Sequence, residues 1–252
     1  MLFFKKSKPA LRDLFTDYFT DIHNHLLPGI DDGSKSIDNT KELISQLVEI
    51  GFSEFITTPH VIDGLWNNTT PHIKDTFSNT VVELQKSNLV APKRTAAEYM
   101  MDYKFHETVK TADLLTLKDN YLLVEMSYYN PPVQLYEILF DIQLAGYIPI
   151  LAHPERYTFY EKNYSEYAKL KKAGCKFQMN LLSSVGYYGK DTAIIADKLL
   201  GEGLYDFVGS DVHHKHHIEG FSKKIVLKNQ DALKEIIKRN EFFKETSKSH
   251  SL

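Results

Sequence analysis

The sequence predicts an α/β fold in which parallel strands alternate with helical crossovers. Two observations carry this expectation. An amphipathic run, a glycine, a short apolar strand and a closing polar residue recur as a unit along the chain, the pattern of strands alternating with helices. The length of 252 residues also suits a single α/β barrel, typically ~250 residues. An open doubly wound sheet has the same periodicity, so the pattern alone leaves both arrangements open. No low-complexity linker divides the chain, and we expect one domain over 1–252, with a short extension over 1–17 and a polar tail over 244–252.

The elements follow in order. A first strand is expected over 18–22. Ser36 then stands as an N-cap for a helix carrying Leu43, Ile44, Leu47 and Val48 on one face, and Gly51 can close it in the left-handed conformation. A strand over 52–58 follows and ends at His60. Further strands are expected over 93–97 and 121–126. Leu135, Ile138, Leu139 and Ile142 make the next helical stripe, closed by Gly146 before a strand over 147–152. Tyr164, Tyr167 and Leu170 lead to Gly174 and a strand over 176–179. Ile194, Ile195 and Leu199 lead to Gly203 and a seventh strand over 205–209.

Charge and cysteine content bound the function. Thirty Lys and Arg against 33 Asp and Glu leave a net charge of −3, without the strongly basic footprint of a nucleic-acid binder. A small anion or a phosphorylated partner needs only local positive charge. A single cysteine rules out a disulfide framework and fits a reducing compartment. The start of the chain places its apolar residues before its lysines, the reverse of a secretory signal. No stretch reaches the ~18 apolar residues of a membrane span. The expected location is the cytoplasm, without membrane insertion or nucleic-acid binding.

Polar residues gather where the strands end. The first strand gives His23 and His25, followed by Asp31 and Asp32; the next ones give His60, Glu98, Glu125 and His153, with Arg156 just beyond; the last gives Asp211 and His213. Side chains two apart on a strand share a face, so each of the pairs His23 with His25 and Asp211 with His213 points one way. In a parallel fold all these carboxyl ends lie on one side, where active sites form. Each residue alone also suits a turn or cap, and of Asp31 and Asp32 one is expected to face inward. Glu98 and Glu125 each close an apolar run, where an unpaired carboxylate is costly and a cation offsets the cost. Imidazole and carboxylate without thiolate suit Mn²⁺, Fe or Zn²⁺, and nine donors are enough for two or three ions. Clustered divalent cations lower the pKa of a bound water and neutralise a transferring phosphoryl group. Arg156 adds a planar fork suited to phosphate oxygens.

Other phosphate chemistries do not fit. A cysteine-based phosphatase needs an arginine six positions after its nucleophile, but Leu181 stands there after Cys175. The chain has no Walker-type phosphate loop and no Gly-x-Ser-x-Gly elbow.

The motifs Asp-Ile-His-Asn-His over 21–25, Pro-Gly-Ile-Asp-Asp-Gly over 28–33, Thr-Thr-Pro-His over 57–60, Ala-Ala-Glu over 96–98, Leu-Ala-His-Pro-Glu-Arg-Tyr over 151–157 and Gly-Ser-Asp-Val-His over 209–213 resemble the polymerase-and-histidinol-phosphatase (PHP) superfamily. Within it the chain resembles the bacterial metal-dependent tyrosine-protein phosphatases of capsule and exopolysaccharide operons, from about residue 21 to 239. The resemblance implies a distorted seven-stranded (β/α)7 barrel with a trinuclear site. It implies that His23, His25, Glu98 and Asp211 hold one ion, most readily Mn²⁺. Glu98 bridges to a second ion on Glu125 and His153, and Asp32, His60 and His213 hold a third. It further implies that a hydroxide between two ions attacks phosphorus in line, with Arg156 on the equatorial oxygens. Arg156 and Asp211 are the candidate catalytic residues. Arg156 and Lys215 are the candidate phosphate contacts; where relatives often carry a second arginine this chain has the run 213–217, so Lys215, His216 or His217 would supply that charge. The loop over 61–71 with Trp66, and Tyr187 and Tyr188 between two glycines, are candidates to border the cleft. The implied substrate is a phosphotyrosine protein such as a cognate bacterial tyrosine kinase. The alternatives are a small-molecule phosphomonoesterase such as a histidinol-phosphate phosphatase, a non-catalytic module on the same fold, and a metal-dependent nuclease.

Overall fold

The structure, a computed structural model, describes residues 8–15 and 18–245. Most of the extension expected over 1–17, and most of the tail expected over 244–252, lie outside the described residues. The strands are β1 (Thr20–Asp21), β2 (Glu54–Thr57), β3 (His60–Val61), β4 (Arg94–Thr95), β5 (Glu98–Met100), β6 (Tyr121–Glu125), β7 (Ile148–Ala152), β8 (Lys176–Asn180) and β9 (Phe207–Gly209). The helices are α1 (Ile37–Ile50), α2 (Thr70–Lys86), α3 (Tyr103–Thr108), α4 (Leu135–Leu144), α5 (Ser165–Lys172), α6 (Lys190–Gly201), α7 (Lys215–Gly220) and α8 (Gln230–Arg239). Every strand pairing is parallel, as an α/β fold with helical crossovers requires.

Local sequence sets the helix limits. Ser36 Oγ accepts the Asn39 N–H at 3.2 Å, and Gly51 ends α1 at a φ of 118°, where a residue with a Cβ is strained. Leu43, Ile44 and Leu47 bury, while Val48, expected on the same face, is 37% exposed at its edge. In α6 the buried stripe runs through Ile195, Ala196 and Leu199, and Ile194 turns outward at 56% exposure. Neighbouring positions on a helix are about 100° apart, so one of two adjacent apolar residues readily leaves the packed face.

The distorted seven-stranded barrel expected from the resemblance does not form as one continuous ladder. The described strands make a three-stranded sheet, β1-β2-β4, and a six-stranded sheet, β3-β5-β6-β7-β8-β9. The expected second and third strands are each broken, the second at Thr58 and Pro59 and the third at Ala96 and Ala97. Proline brings no N–H to a ladder. The register nevertheless continues across the break, since Ile56 pairs with Arg94 and His60 with Glu98 at the same offset. Ala96 N donates to Thr57 O at 2.8 Å and Glu98 N to Pro59 O at 3.0 Å. Beyond β9, a single bridge between Asn24 and Val212 joins the last strand to the first.

Alternation along the strands separates two apolar clusters. Phe55, Leu122, Val124 and Leu151 belong to the large core under the helices. Ile56, Leu123, Ile150, Ala152 and Phe207 face the other way, into a small cluster closed by Phe243. Glu125 shares a strand face with Leu123, so the inner cluster forms the floor beneath the strand-end polar residues. Among the described residues, no helix is long and apolar enough to cross a membrane.

Candidate metal centre

The strand ends and the loops after them bring the nine candidate donors together. His23 Nε2 lies 3.1 Å from Glu98 Oε2 and 3.4 Å from Asp211 Oδ1. His25 Nε2 lies 3.4 Å from the same two oxygens and 3.4 Å from His23 Nε2. Donors about 2.0–2.1 Å from one tetrahedral cation stand roughly 3.3 Å apart, so the spacing of His23, His25 and Asp211, which group together, fits a shared cation. His60 Nδ1 reaches Glu125 Oε1 at 2.9 Å and Glu98 Oε2 at 3.2 Å. His153 Nε2 reaches Glu98 Oε1 at 3.2 Å. Asp32 Oδ1 lies 3.4 Å from His213 Nε2 and 3.6 Å from His60 Nε2.

Glu98 thus stands between His23, His60 and His153, as a bridging ligand would. The donors divide somewhat differently from the implied trios. Glu125 groups with His60 and Glu98, His153 with His23 and Glu98, and Asp32, His60 and His213 with His25. His60 faces two groups, one with each ring nitrogen.

The ring nitrogens turned away from the pit are held. His23 Nδ1 lies 2.7 Å from Gln178 Oε1, His25 Nδ1 lies 2.8 Å from Asp31 Oδ2, and His213 Nδ1 lies 2.9 Å from the Asp211 carbonyl. An acceptor at Nδ1 fixes the proton there and turns the Nε2 lone pair inward, the arrangement of metal-binding histidines. Asp31 is buried and also accepts from Gly33 N and His60 N. Both carboxylates of the turn therefore serve the pit, Asp31 from behind His25 and Asp32 from its rim. Sequence reasoning missed Gln178, whose position two before the strand-ending Asn180 puts both on one face of β8.

The electrostatics favour cations. Burial opposes ionisation of Glu98, yet His23 and His60 hold its carboxyl well below the usual range. Burial also opposes ionisation of Asp211, and His23 and His25 outweigh it in the same direction. Glu125 is pushed up by burial and by the charge of Glu98. Burial and Arg156 push His153 down to about 4. Glu98 Oε2, Glu125 Oε1, His60 Nδ1 and His153 Nδ1 are buried and make no well-aligned hydrogen bond, although His60 Nδ1 lies 3.2 Å and 2.9 Å from the first two. Orphaned buried atoms of this kind are costly, and a divalent cation would satisfy those that face the pit. The residues fit the metal.

His153 and Asp211 both adopt left-handed backbone, with φ of 36° and 52°. Such strain costs of order 1–3 kcal/mol and concentrates at functional sites. Close packing aligns the neighbouring histidine: a Cβ on Gly209 would stand 2.5 Å from His23 Cβ.

Above the pit opens a cavity of about 240 Å³, lined by Asp32, His60, His153, Asp211 and His213 together with Tyr128, Arg156, His214 and His217. Arg156 Nη1 donates to Asp211 Oδ2 at 2.8 Å. Lys215 is exposed in the first turn of α7 and is not part of this lining. His216 pairs with Glu219 on the surface at 3.1 Å. His217 lines the cavity, but burial pushes it down to about 3, so it is uncharged. Tyr188 packs on Arg156 and Tyr187 packs edge-on against His217. Trp66 lies elsewhere, beside Tyr99 and Phe105 in a separate cavity of about 360 Å³. Tyr128 was not singled out from the sequence, although it stands three residues past the strand-ending Glu125. A larger cavity, about 840 Å³, lies between α6 and residues 226–229, away from these donors.

Residues 19–237 match the family model described as capsular polysaccharide synthesis, CpsB/CapC. The chain is 29% identical over 195 residues to the tyrosine-protein phosphatase YwqE of Bacillus subtilis (strain 168), a span covering 77% of each chain. It is 28% identical over 203 residues to the tyrosine-protein phosphatase CpsB of Streptococcus pneumoniae, covering 77% of this chain and 82% of that one. A solved chain from crystal structures of YwqE and CpsB, described as unique metal-dependent tyrosine phosphatases, matches with a TM-score of 0.74 at 28% identity, over 90% of this chain and 88% of its own. A histidinol phosphate phosphatase from Lactococcus lactis subsp. lactis shares the fold at a TM-score of 0.53 and 13% identity, over 89% of this chain and 94% of its own.

Proposed function

The chain belongs to the CpsB/CapC family of capsular polysaccharide synthesis, and from that premise we propose that it is a metal-dependent protein-tyrosine phosphatase. The observation that carries the reading is the set of inward-facing imidazoles, held from behind at Nδ1, that converge with four carboxylates beneath one arginine. Likeness to the named tyrosine-protein phosphatases favours this over a small-molecule phosphomonoesterase.

His23, His25, Asp32, His60, Glu98, Glu125, His153, Asp211 and His213 would hold two or three divalent ions, with Mn²⁺ preferred and Fe or Zn²⁺ compatible with the same nitrogen and oxygen donors. Bound there, such ions supply an activated water and neutralise phosphoryl charge. Arg156 presents its remaining N–H groups to the phosphoryl oxygens, where charge grows in the transition state. Asp211 fixes that guanidinium through Oδ2 while its Oδ1 faces His23 and His25. Tyrosine leaves as a phenol of pKa about 10, which asks less of a proton donor than an aliphatic alcohol does. The substrate we assign is the phosphotyrosine of a cognate bacterial tyrosine kinase of capsule or exopolysaccharide synthesis, met in the cytoplasm.

Turnover of a phosphotyrosine peptide and of histidinol phosphate, with elemental analysis of wild type and His153→Ala, tests the reading. The wild type should carry more than one metal per chain and prefer the peptide. His153→Ala should lose metal and activity together. A preference for histidinol phosphate, or a metal-loaded protein inert toward both, would reject the reading.

A further inference from the structure

Arg156 lies against two tyrosine rings. Its guanidinium carbon stands 4.6 Å from the Tyr128 ring centroid and 4.1 Å from that of Tyr188. The five N–H donors of a guanidinium lie in its plane, so a ring packed on a face leaves the edges free to donate. Nη1 is taken by Asp211. The side chain is 20% exposed and lines the cavity, so part of it is open to a ligand there.

The two rings are held differently. Tyr188 is half-buried, and its hydroxyl accepts from Asn180 Nδ2 at 3.1 Å. The same amide nitrogen donates to Asp211 Oδ2 at 2.9 Å. Tyr188, Asn180, Asp211 and Arg156 thus form one closed set of contacts behind the cavity. Tyr128 belongs to the mouth. It is 43% exposed, lines the cavity, and stacks on His153 with centroids 5.7 Å apart at 28°. Of the two rings, only Tyr128 is part of the lining.

We propose, resting on the phosphatase reading above, that Tyr128 is a specificity-determining residue whose exposed ring forms the wall on which the aromatic ring of an aryl phosphate packs. Tyr188 is a positioning residue that acts through Arg156. A phosphoryl group held on the free edge of Arg156 leaves its organic group pointing out of the mouth beside Tyr128. An aromatic group there gains an offset-stacked partner, which an alkyl group does not. Stacking of this kind is worth about threefold to tenfold in affinity.

Calorimetric binding of phenylphosphonate and methylphosphonate to the metal-loaded protein separates the two roles without turnover. The readout is the ratio of the two affinities. Tyr128→Leu should lower the phenyl-to-methyl ratio about threefold to tenfold, and Tyr128→Phe, which keeps the ring, should restore it. Tyr188→Leu should weaken both phosphonates and leave the ratio where it was. An unchanged ratio in Tyr128→Leu, or an equal loss for both phosphonates, overturns the inference. A wild type that shows the Tyr128-dependent ratio but hydrolyses no aryl phosphate rejects the phosphatase reading alone. Failure of the wild type to bind either phosphonate rejects both.

Discussion

Asp211 divides its carboxylate between two partners: Oδ2 accepts from Arg156 Nη1 at 2.8 Å, while Oδ1 lies 3.4 Å from both His23 Nε2 and His25 Nε2. The arginine that would meet the phosphoryl group is thereby registered on the candidate metal donors. Arg156→Ala should lower kcat/KM for p-nitrophenyl phosphate by about 10²–10³, the usual loss for a donor that meets developing charge, with metal content unchanged by elemental analysis. Arg156→Lys should recover little, because an ammonium cannot reproduce the planar fork. Loss of metal in either variant would place the arginine among the groups that build the pit.

The buried atoms without partners set a second expectation. Glu98 Oε2 and Glu125 Oε1 make no well-aligned hydrogen bond, so a cation held by these carboxylates would stabilise the native state. Titrating Mn²⁺ into chelator-treated protein should raise the melting temperature with concentration, by about 2.7 kcal/mol of stability at a hundredfold excess over Kd. Calorimetry showing no dependence on Mn²⁺, Zn²⁺ or Fe²⁺ would contradict it.

Gly209 has no room for a side chain. A Cβ there would stand 2.5 Å from His23 Cβ and 2.7 Å from Gln178 Nε2, between the imidazole and the amide that orients it. Gly209→Ala should cost about 1–3 kcal/mol in denaturant unfolding, the usual penalty of overpacking, and should weaken metal binding. Wild-type stability together with wild-type metal content would show that the close approach is easily relieved.

Cys175 is buried, and burial pushes its thiol from 9.0 up to about 12. The folded protein should resist maleimide at neutral pH and react only on unfolding. The pH dependence has a definite sign: between about pH 9 and 12 the unfolded thiol has lost its proton while the folded one keeps it. The unfolded state binds fewer protons there, so this group's contribution to stability falls as pH rises. Stability rising across that window in wild type relative to Cys175→Ala would reverse the assignment.

The candidate donors that the structure brings together were legible because most of them close a short apolar strand, a local feature of the sequence. The pairs His23 with His25 and Asp211 with His213 announced their shared direction through a two-residue spacing. The helix from Ser36 to Gly51 was equally local, since its cap and terminator are written in adjacent residues. The two broken strands were less so, because a strand's pairing depends on its neighbours and Thr58 with Pro59 interrupts it without shifting register. Tyr128 and Gln178 gain their roles only when the chain brings β6, β7 and β8 side by side. Which of Lys215, His216 and His217 reaches the cavity was illegible for a similar reason. Lys215 carries the charge, but the turn into α7 points His214 and His217 to the cavity instead.

The apolar cluster of Ile56, Leu123, Ile150, Ala152 and Phe207 lies beneath the pit, and among the described residues the cavity above it is the way in. On the reading proposed above, phosphate would sit deepest and tyrosine nearest the exit, which would order departure: the phenol first and inorganic phosphate last. Phosphate should then compete directly with substrate for the emptied protein, whereas free tyrosine should inhibit weakly.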